Sequence, residues 1–218
     1  MIPTIIVINP NSTEAVTQGI DRACEPLRMQ DGPRIECVTL ADGPPGIQTQ
    51  RDVDGVVAPL LRAIGELDAR ASAFVIACFS DPGLHSARET TAKPVLGIME
   101  SGLLTALTLG QRFGVIAILP ASIPRHLRMI NAMGLSSRLA GERAVGLPVV
   151  ELADEAKTAG RMVEVGRQLA ADGANSIVMG CAGMAQYRSR VEQAAGIPVV
   201  EPTQAAVAMA IGRVRLGW

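Results

Sequence analysis

The 218-residue sequence predicts an α/β protein of two pseudo-symmetric lobes, each a four-stranded parallel sheet flanked by helices. Three observations predict it. Short apolar runs rich in β-branched residues alternate with stretches of helical periodicity, as buried parallel strands alternate with covering helices. Two of these runs end alike. Phe74-Val75-Ile76-Ala77-Cys78-Phe79-Ser80-Asp81-Pro82-Gly83 and Ser176-Ile177-Val178-Met179-Gly180-Cys181-Ala182-Gly183-Met184 each stop at a cysteine and pass at once into small or turn-forming residues. Their surroundings also repeat. Asn9 and Cys78 lie 69 residues apart and Leu119 and Cys181 lie 62 apart, while an apolar run around Pro94 or Pro198 follows each cysteine by 16 or 17 residues.

Taken in order, Thr4 to Asn9 form the first strand, and Asn11 with Glu14 three residues on suits a helix N-cap. Val16, Ile20, Ala23 and Leu27 recur at helical spacing. Asp31-Gly32-Pro33 breaks the chain before a strand from Ile35 to Leu40, and the Gly- and Pro-rich segment 41–49 is a connection or a substrate lid bordering the crevice. Val53, Val56, Val57, Leu60, Ile64 and Leu67 make one helix. The third strand ends at Cys78, and Asp81 as N-cap with Pro82 in the first turn starts a helix about three residues after the thiol. A strand near 94–98 closes the first half, and a helix from Glu100 to Leu109 leads to the second. There the order repeats: a strand at 113–118, a helix from Ser122 with Pro124 in its first turn, and a strand at 145–150. A helix at 153–171, the strand into Cys181, a helix at 184–195, a strand at 197–201 and a helix from Thr203 complete it. The expected lobes are residues 1–98, completed by helix 203–218, and residues 99–202, with a cleft between them.

Composition removes several functions. Aromatics are 2% and net charge is −1, so neither a base-stacking surface nor a phosphate-binding field is expected, and with it no nucleic acid. No apolar run reaches the roughly 18 residues of a membrane helix. The chain begins directly on a strand with no signal-peptide pattern, and its four cysteines show no CxxC spacing. These features suit a reduced, cytoplasmic protein. No Walker A or GxGxxG pattern follows a strand, and two histidines not grouped with the cysteines leave no zinc pattern. No cofactor and no metal are expected.

The cysteines carry the chemistry. Cys24 lies on an apolar helix face and Cys37 inside an alternating strand, as small hydrophobes do. Cys78 and Cys181 instead sit at carboxyl ends of equivalent strands, where open α/β sheets bind ligands. His85 is two helical turns past Cys78 and points away, and both histidines read as surface or core residues. Two thiols facing one flat carbanion suit acid–base work at carbon: one removes a proton and the other returns it to the opposite face. A helix N-terminus after each thiol should lower its pKa from roughly 8.5 toward neutrality.

The segments Val7-Ile8-Asn9-Pro10-Asn11-Ser12, Ala77 to Leu84, Ile118 to Pro124 and Gly180 to Met184 resemble the hydantoin and allantoin racemases of the aspartate/glutamate racemase superfamily. The resemblance spans nearly the whole chain. It implies cofactor-independent racemisation of a small molecule with a hydantoin or allantoin ring, and a homo-oligomer. Carried over, the catalytic pair is Cys78 and Cys181, and the substrate shell is Asn9, Phe79, Ser80, Ser122, Ala182 and Gly183. The amides of Phe79, Ser80, Ala182 and Gly183 would meet the oxyanion of an enolate-like intermediate. Maleate-type isomerases and Asp/Glu racemases resemble the same layout. Arylmalonate decarboxylases keep only the second cysteine, so Cys78 counts against them. The motifs' Asn, Ser and amide donors, with no charged partner for an amino acid, favour a neutral ring. A two-lobed binding protein without chemistry would leave both thiols idle and exchange no substrate hydrogen.

Overall fold

Most strands of this chain are short, rich in β-branched residues and buried on both faces, and they assemble as parallel sheets. The structure, a computed structural model, describes residues 2–148, 151–152 and 154–218. The first half runs β1 (Thr4–Asn9), α1 (Glu14–Cys24), β2 (Arg34–Thr39), α2 (Gln50–Gly55), α3 (Val57–Leu67), β3 (Ala73–Ile76), α4 (Leu84–Thr90), β4 (Val95–Gly97) and α5 (Ile98–Leu109). The second runs β5 (Phe113–Ala117), α6 (Ile123–Ala132), β6 (Leu139–Ala144), α7 (Glu155–Ala171), β7 (Ser176–Met179), α8 (Arg188–Ala195), β8 (Val199–Val200) and α9 (Pro202–Leu216). Two four-stranded parallel sheets result, β2-β1-β3-β4 and β6-β5-β7-β8, identical in order. In β1 the four residues Ile5 to Ile8 are all 0% exposed, because helices cover both faces of a strand with neighbours on both sides. Each such side chain contributes roughly 1.5–3 kcal/mol.

The sheets share one core. Ile5, Val7 and Val75 of the first and Phe113, Val115 and Val178 of the second lie in a single apolar cluster with Met99 and Leu103 of α5 and Ala206 and Val207 of α9. The outer faces have separate clusters, one holding Leu60 and Ile64 of α3, the other Met162 and Leu169 of α7. Helix α9 packs on α5, β1, β3 and β4, so the chain's last helix returns to the first sheet. At Gly102 a Cβ would touch Pro202 and Val178 at 3.0 and 3.1 Å, which is how closely α5 approaches α9 and β7.

Four expectations shift. The strand placed at 145–150 lies at 139–144 instead; residues 145–148 are not strand, and 149–150 fall outside the described residues. Strand β6 is a sheet edge with half-exposed side chains, so it lacks the apolar run that marks its neighbours. The helix from Val53 to Leu67 is two helices, α2 opening on a capping box between Thr49 and Asp52. Thr13, not Asn11, is the N-cap residue of α1. Asp81 does not cap the helix that follows it. Gly83, at φ 64°, precedes α4, and Asp81 at φ 41° turns its carboxylate onto the amides of Met99 and Glu100 at 2.9 and 2.8 Å. It thus satisfies the N-terminus of α5 from across the sheet. Glu201 caps α9 directly as the residue before it, accepting from the amides of Thr203 and Gln204 at 3.2 and 2.6 Å.

Candidate active site

Equivalent backbone geometry delivers the two thiols. The Ala77 amide donates to Ile8 O at 2.9 Å and the Gly180 amide to Ile116 O at 2.8 Å. These rungs hold each strand to its central neighbour just before the cysteine. Past them the chain turns: the Asp81 amide donates to Cys78 O at 3.0 Å and the Met184 amide to Cys181 O at 3.1 Å. Cys78 and Cys181 therefore emerge at the carboxyl ends of matching strands, and both line one cavity of about 30 Å³. Phe79, Ser80, Ser122, Ala182 and Gly183 line it too, with Asn11, Val16 and Ile47.

Asn9 is the expected shell residue that does not line this cavity. It is fully buried, and its Nδ2 donates to Asn11 Oδ1 at 3.1 Å, Thr17 Oγ1 at 3.0 Å and Thr13 O at 3.4 Å. It shapes the β1–α1 turn, and Asn11 reaches the cavity in its place. Ser122 is fully buried, and its Oγ has no partner among the described residues. A buried hydroxyl left unpaired is costly, and this one belongs to a residue on the cavity wall. The segment 41–49 closes part of the cavity through Ile47, tethered by the Ser12 amide to Pro44 O at 2.9 Å and Thr13 Oγ1 to Pro45 O at 2.7 Å.

Helix α6 brings two residues that sequence reasoning missed. Arg125 is 6% exposed; its Nε donates to Ser80 Oγ at 2.9 Å and its Nη1 to Gln48 O at 3.3 Å. His126 is buried, its ring edge-on to Phe79 at a centroid distance of 5.2 Å and its Nδ1 bonded to the Glu142 carboxylate. The available signal was position: Arg125 and His126 follow Ser122 within one helical turn, on the side facing the first half. The neutral-ring argument rested on a motif set without a charged partner, and α6 supplies one.

The thiols are not near neutrality. Burial pushes Cys78 up to about 12, with Cys181 and Asp81 adding to it and the Arg125 guanidinium and Ser80 amide pulling down. Burial pushes Cys181 up to about 11, opposed by the Gly183 amide, which donates to Sγ at 3.4 Å. The expected helix N-termini do not offset this. A turn, then the short α4, follows Cys78, and a 3-10 segment, Ala182–Tyr187, follows Cys181. The Asp81 and Glu201 carboxyls are also pushed up, each to about 7, chiefly by burial. Cys37 is raised by its side-chain hydrogen bond with Cys24, a free thiol like itself, and by burial, and it packs against the shared core that holds Cys24.

A pH profile checks these values. Thiolate is the form that alkylates, so inactivation by iodoacetamide should climb about tenfold per pH unit from 7 to 10. Label should fall on Cys78 or Cys181, substrate should slow it, and a plateau near pH 8 would show that the thiols ionise near neutrality after all. Among the described residues no three His, Cys, Asp or Glu side chains converge as a metal site. No described helix is long and apolar enough to cross a membrane.

Comparison with known proteins agrees with this fold. A hydantoin racemase of Rhizobium meliloti is 36% identical over 218 residues, covering 98% of this chain and 90% of that protein. The structure of allantoin racemase from Klebsiella pneumoniae superposes with a TM-score of 0.92 at 31% identity, covering 99% of this chain and 89% of that one. Allantoin racemase from Pseudomonas fluorescens gives 0.90 at 28% identity, covering 98% and 92%. The family model for Asp/Glu/Hydantoin racemase matches residues 5–210. A match of that extent, on two equivalent sheets that each present a cysteine, means that the chain belongs to the Asp/Glu/Hydantoin racemase family and is an isomerase of the racemase type.

Proposed function

We propose that the protein racemises 5-substituted hydantoins or allantoin, without a cofactor, by two-base proton transfer between Cys78 and Cys181. The observation that carries this reading is that thiols from equivalent strand ends of the two sheets line one cavity. The labile proton of such a ring lies beside a carbonyl, so its removal gives a planar, enolate-like anion. One thiolate takes the proton, and the other thiol returns one to the opposite face. The two lobes, 1–98 with 203–218 and 99–202, hold one thiol each. Mutual repulsion supports a one-thiol, one-thiolate pair: Cys181 raises Cys78, so the two do not ionise together. A thiolate with so high a pKa is a strong base, which a carbon acid requires. The Ser80 and Gly183 amides turn to the sulfurs, leaving Ser122 Oγ and the amides of Phe79 and Ala182 to meet the ring carbonyl. Four free thiols suit a reducing cytoplasm, and the family resemblance supports a homo-oligomer.

The test uses both hands of allantoin, several 5-substituted hydantoins, aspartate and glutamate, followed by optical rotation and by mass in D₂O. Hydantoins or allantoin should racemise after dialysis against a chelator with a reducing agent present. Product should carry deuterium from its first appearance while early unreacted substrate keeps protium. Turnover of aspartate or glutamate alone, or product retaining substrate protium, would overturn the reading.

A further inference from the structure

Arg125 stands between two cavities. Besides the cysteine cavity of about 30 Å³, it and Ser80 line a second cavity of about 300 Å³, bounded by Gln50, Val53, Asp54, Val57, Arg128 and Met129. The first is small, and the two share Ser80 and Arg125 on their walls, so the second is the neighbouring space into which a substituent on the stereocentre can extend. That second space has apolar walls in Val53, Val57 and Met129, and carries Arg125 and Arg128 together with Asp54 and Asp81, whose carboxylate is bonded to the amides of Met99 and Glu100. A guanidinium buried with no carboxylate bonded to it is costly. Arg125 bonds only to a hydroxyl and a carbonyl, and among the described residues its Nη2 donates to no protein acceptor. The carboxylates that bear on it do not hydrogen-bond to it, although Glu142 Oε2 has no partner among the described residues. Asp52 accepts from the amides of Gln48 and Thr49 at 3.0 and 2.8 Å, and Glu142 is bonded to His126. Asp54, facing the second cavity, accepts from Gln50 Nε2 at 2.8 Å, and the same side chain's Oε1 accepts from Arg128 Nη2 at 2.7 Å. The guanidinium at the junction thus keeps Nη2 unpaired to meet an anionic oxygen of a ligand.

We propose that the second cavity is the subsite for the ring substituent, and that Arg125 selects substituents ending in a carboxylate. The inference rests on the hydantoin reading above and narrows its substrate class. Its test compares kcat/KM for hydantoin-5-propionic acid and 5-isobutylhydantoin, similar in reach but different in charge, in wild type, Arg125→Lys and Arg125→Leu. The wild type should prefer the acid by at least about tenfold. In Arg125→Leu that ratio should fall about a hundredfold, mainly through KM for the acid, and Arg125→Lys should restore part of it, having the charge without the fork. Wild-type preference for the isobutyl compound, or a ratio unmoved by Arg125→Leu, overturns the subsite alone. Turnover of neither compound by wild type, with none of allantoin, overturns the hydantoin reading with it.

Discussion

Cys78→Ser and Cys181→Ser should each lower racemisation by at least about a thousandfold, the upper range for losing a positioned acid or base. The hydroxyl that replaces the thiol is too weak an acid and too weakly ionised near neutral pH to serve in either role. The two variants should differ in hand. With one thiol left, the ring proton on its own face can still be removed and returned, so one variant should exchange only the L-hydantoin with D₂O and the other only the D-form, both without inversion. The geometry motivates this: the rungs at Ala77–Ile8 and Gly180–Ile116 place the cysteines on separate sheets that meet at one cavity. A single variant that still racemises near the wild-type rate would mean that one base does all the work.

Gly180→Ala should be among the most damaging single changes outside the thiols. A Cβ at Gly180 would overlap the Ile116 carbonyl oxygen, the acceptor of Gly180's own amide, and press on Ala117 Cα at 3.4 Å. These atoms are backbone of a central strand, so no side-chain rotation relieves the overlap. Either β7 leaves β5 or the turn into Cys181 shifts. Overpacking against rigid backbone should cost roughly 2–4 kcal/mol. In a protein of this size that lowers Tm by about 5–15 °C. Activity in the surviving folded fraction should drop by more than about tenfold, because Cys181 is the next residue. Gly212→Ala is the matched control: its Cβ meets nothing within 4 Å inside α9, and it should be neutral or stabilising by up to about 1 kcal/mol. Equal melting temperatures for Gly180→Ala and wild type would show that the strand end tolerates the methyl.

Arg125 illustrates why part of the site was hidden. It lies on an amphipathic helix whose polar face reads as ordinary surface, and only α6 docking over Gln48 and Ser80 brings it into the cavity. Asp81 is similar. In sequence it precedes a helix and suits its cap, but the positive φ at Asp81 and the approach of Gly97 turn it toward α5, 18 residues on. Strand β6 was displaced by six residues because an edge strand need not be apolar.

By itself the sequence determined the two equivalent sheets and the cysteine at each matching strand end. Those follow from hydrophobic period and from turn residues, which act over a few positions and need no partner to be read. The tertiary structure alone decided the rest: the shared core of α5 and α9, Asn11 rather than Asn9 at the cavity, and Arg125 beside Cys78. It also decided the thiols' acidity. A local reading credits the helix that should follow each cysteine and lowers the pKa, whereas burial is a property of everything packed around the sulfur, and here burial outweighs the amides and raises both.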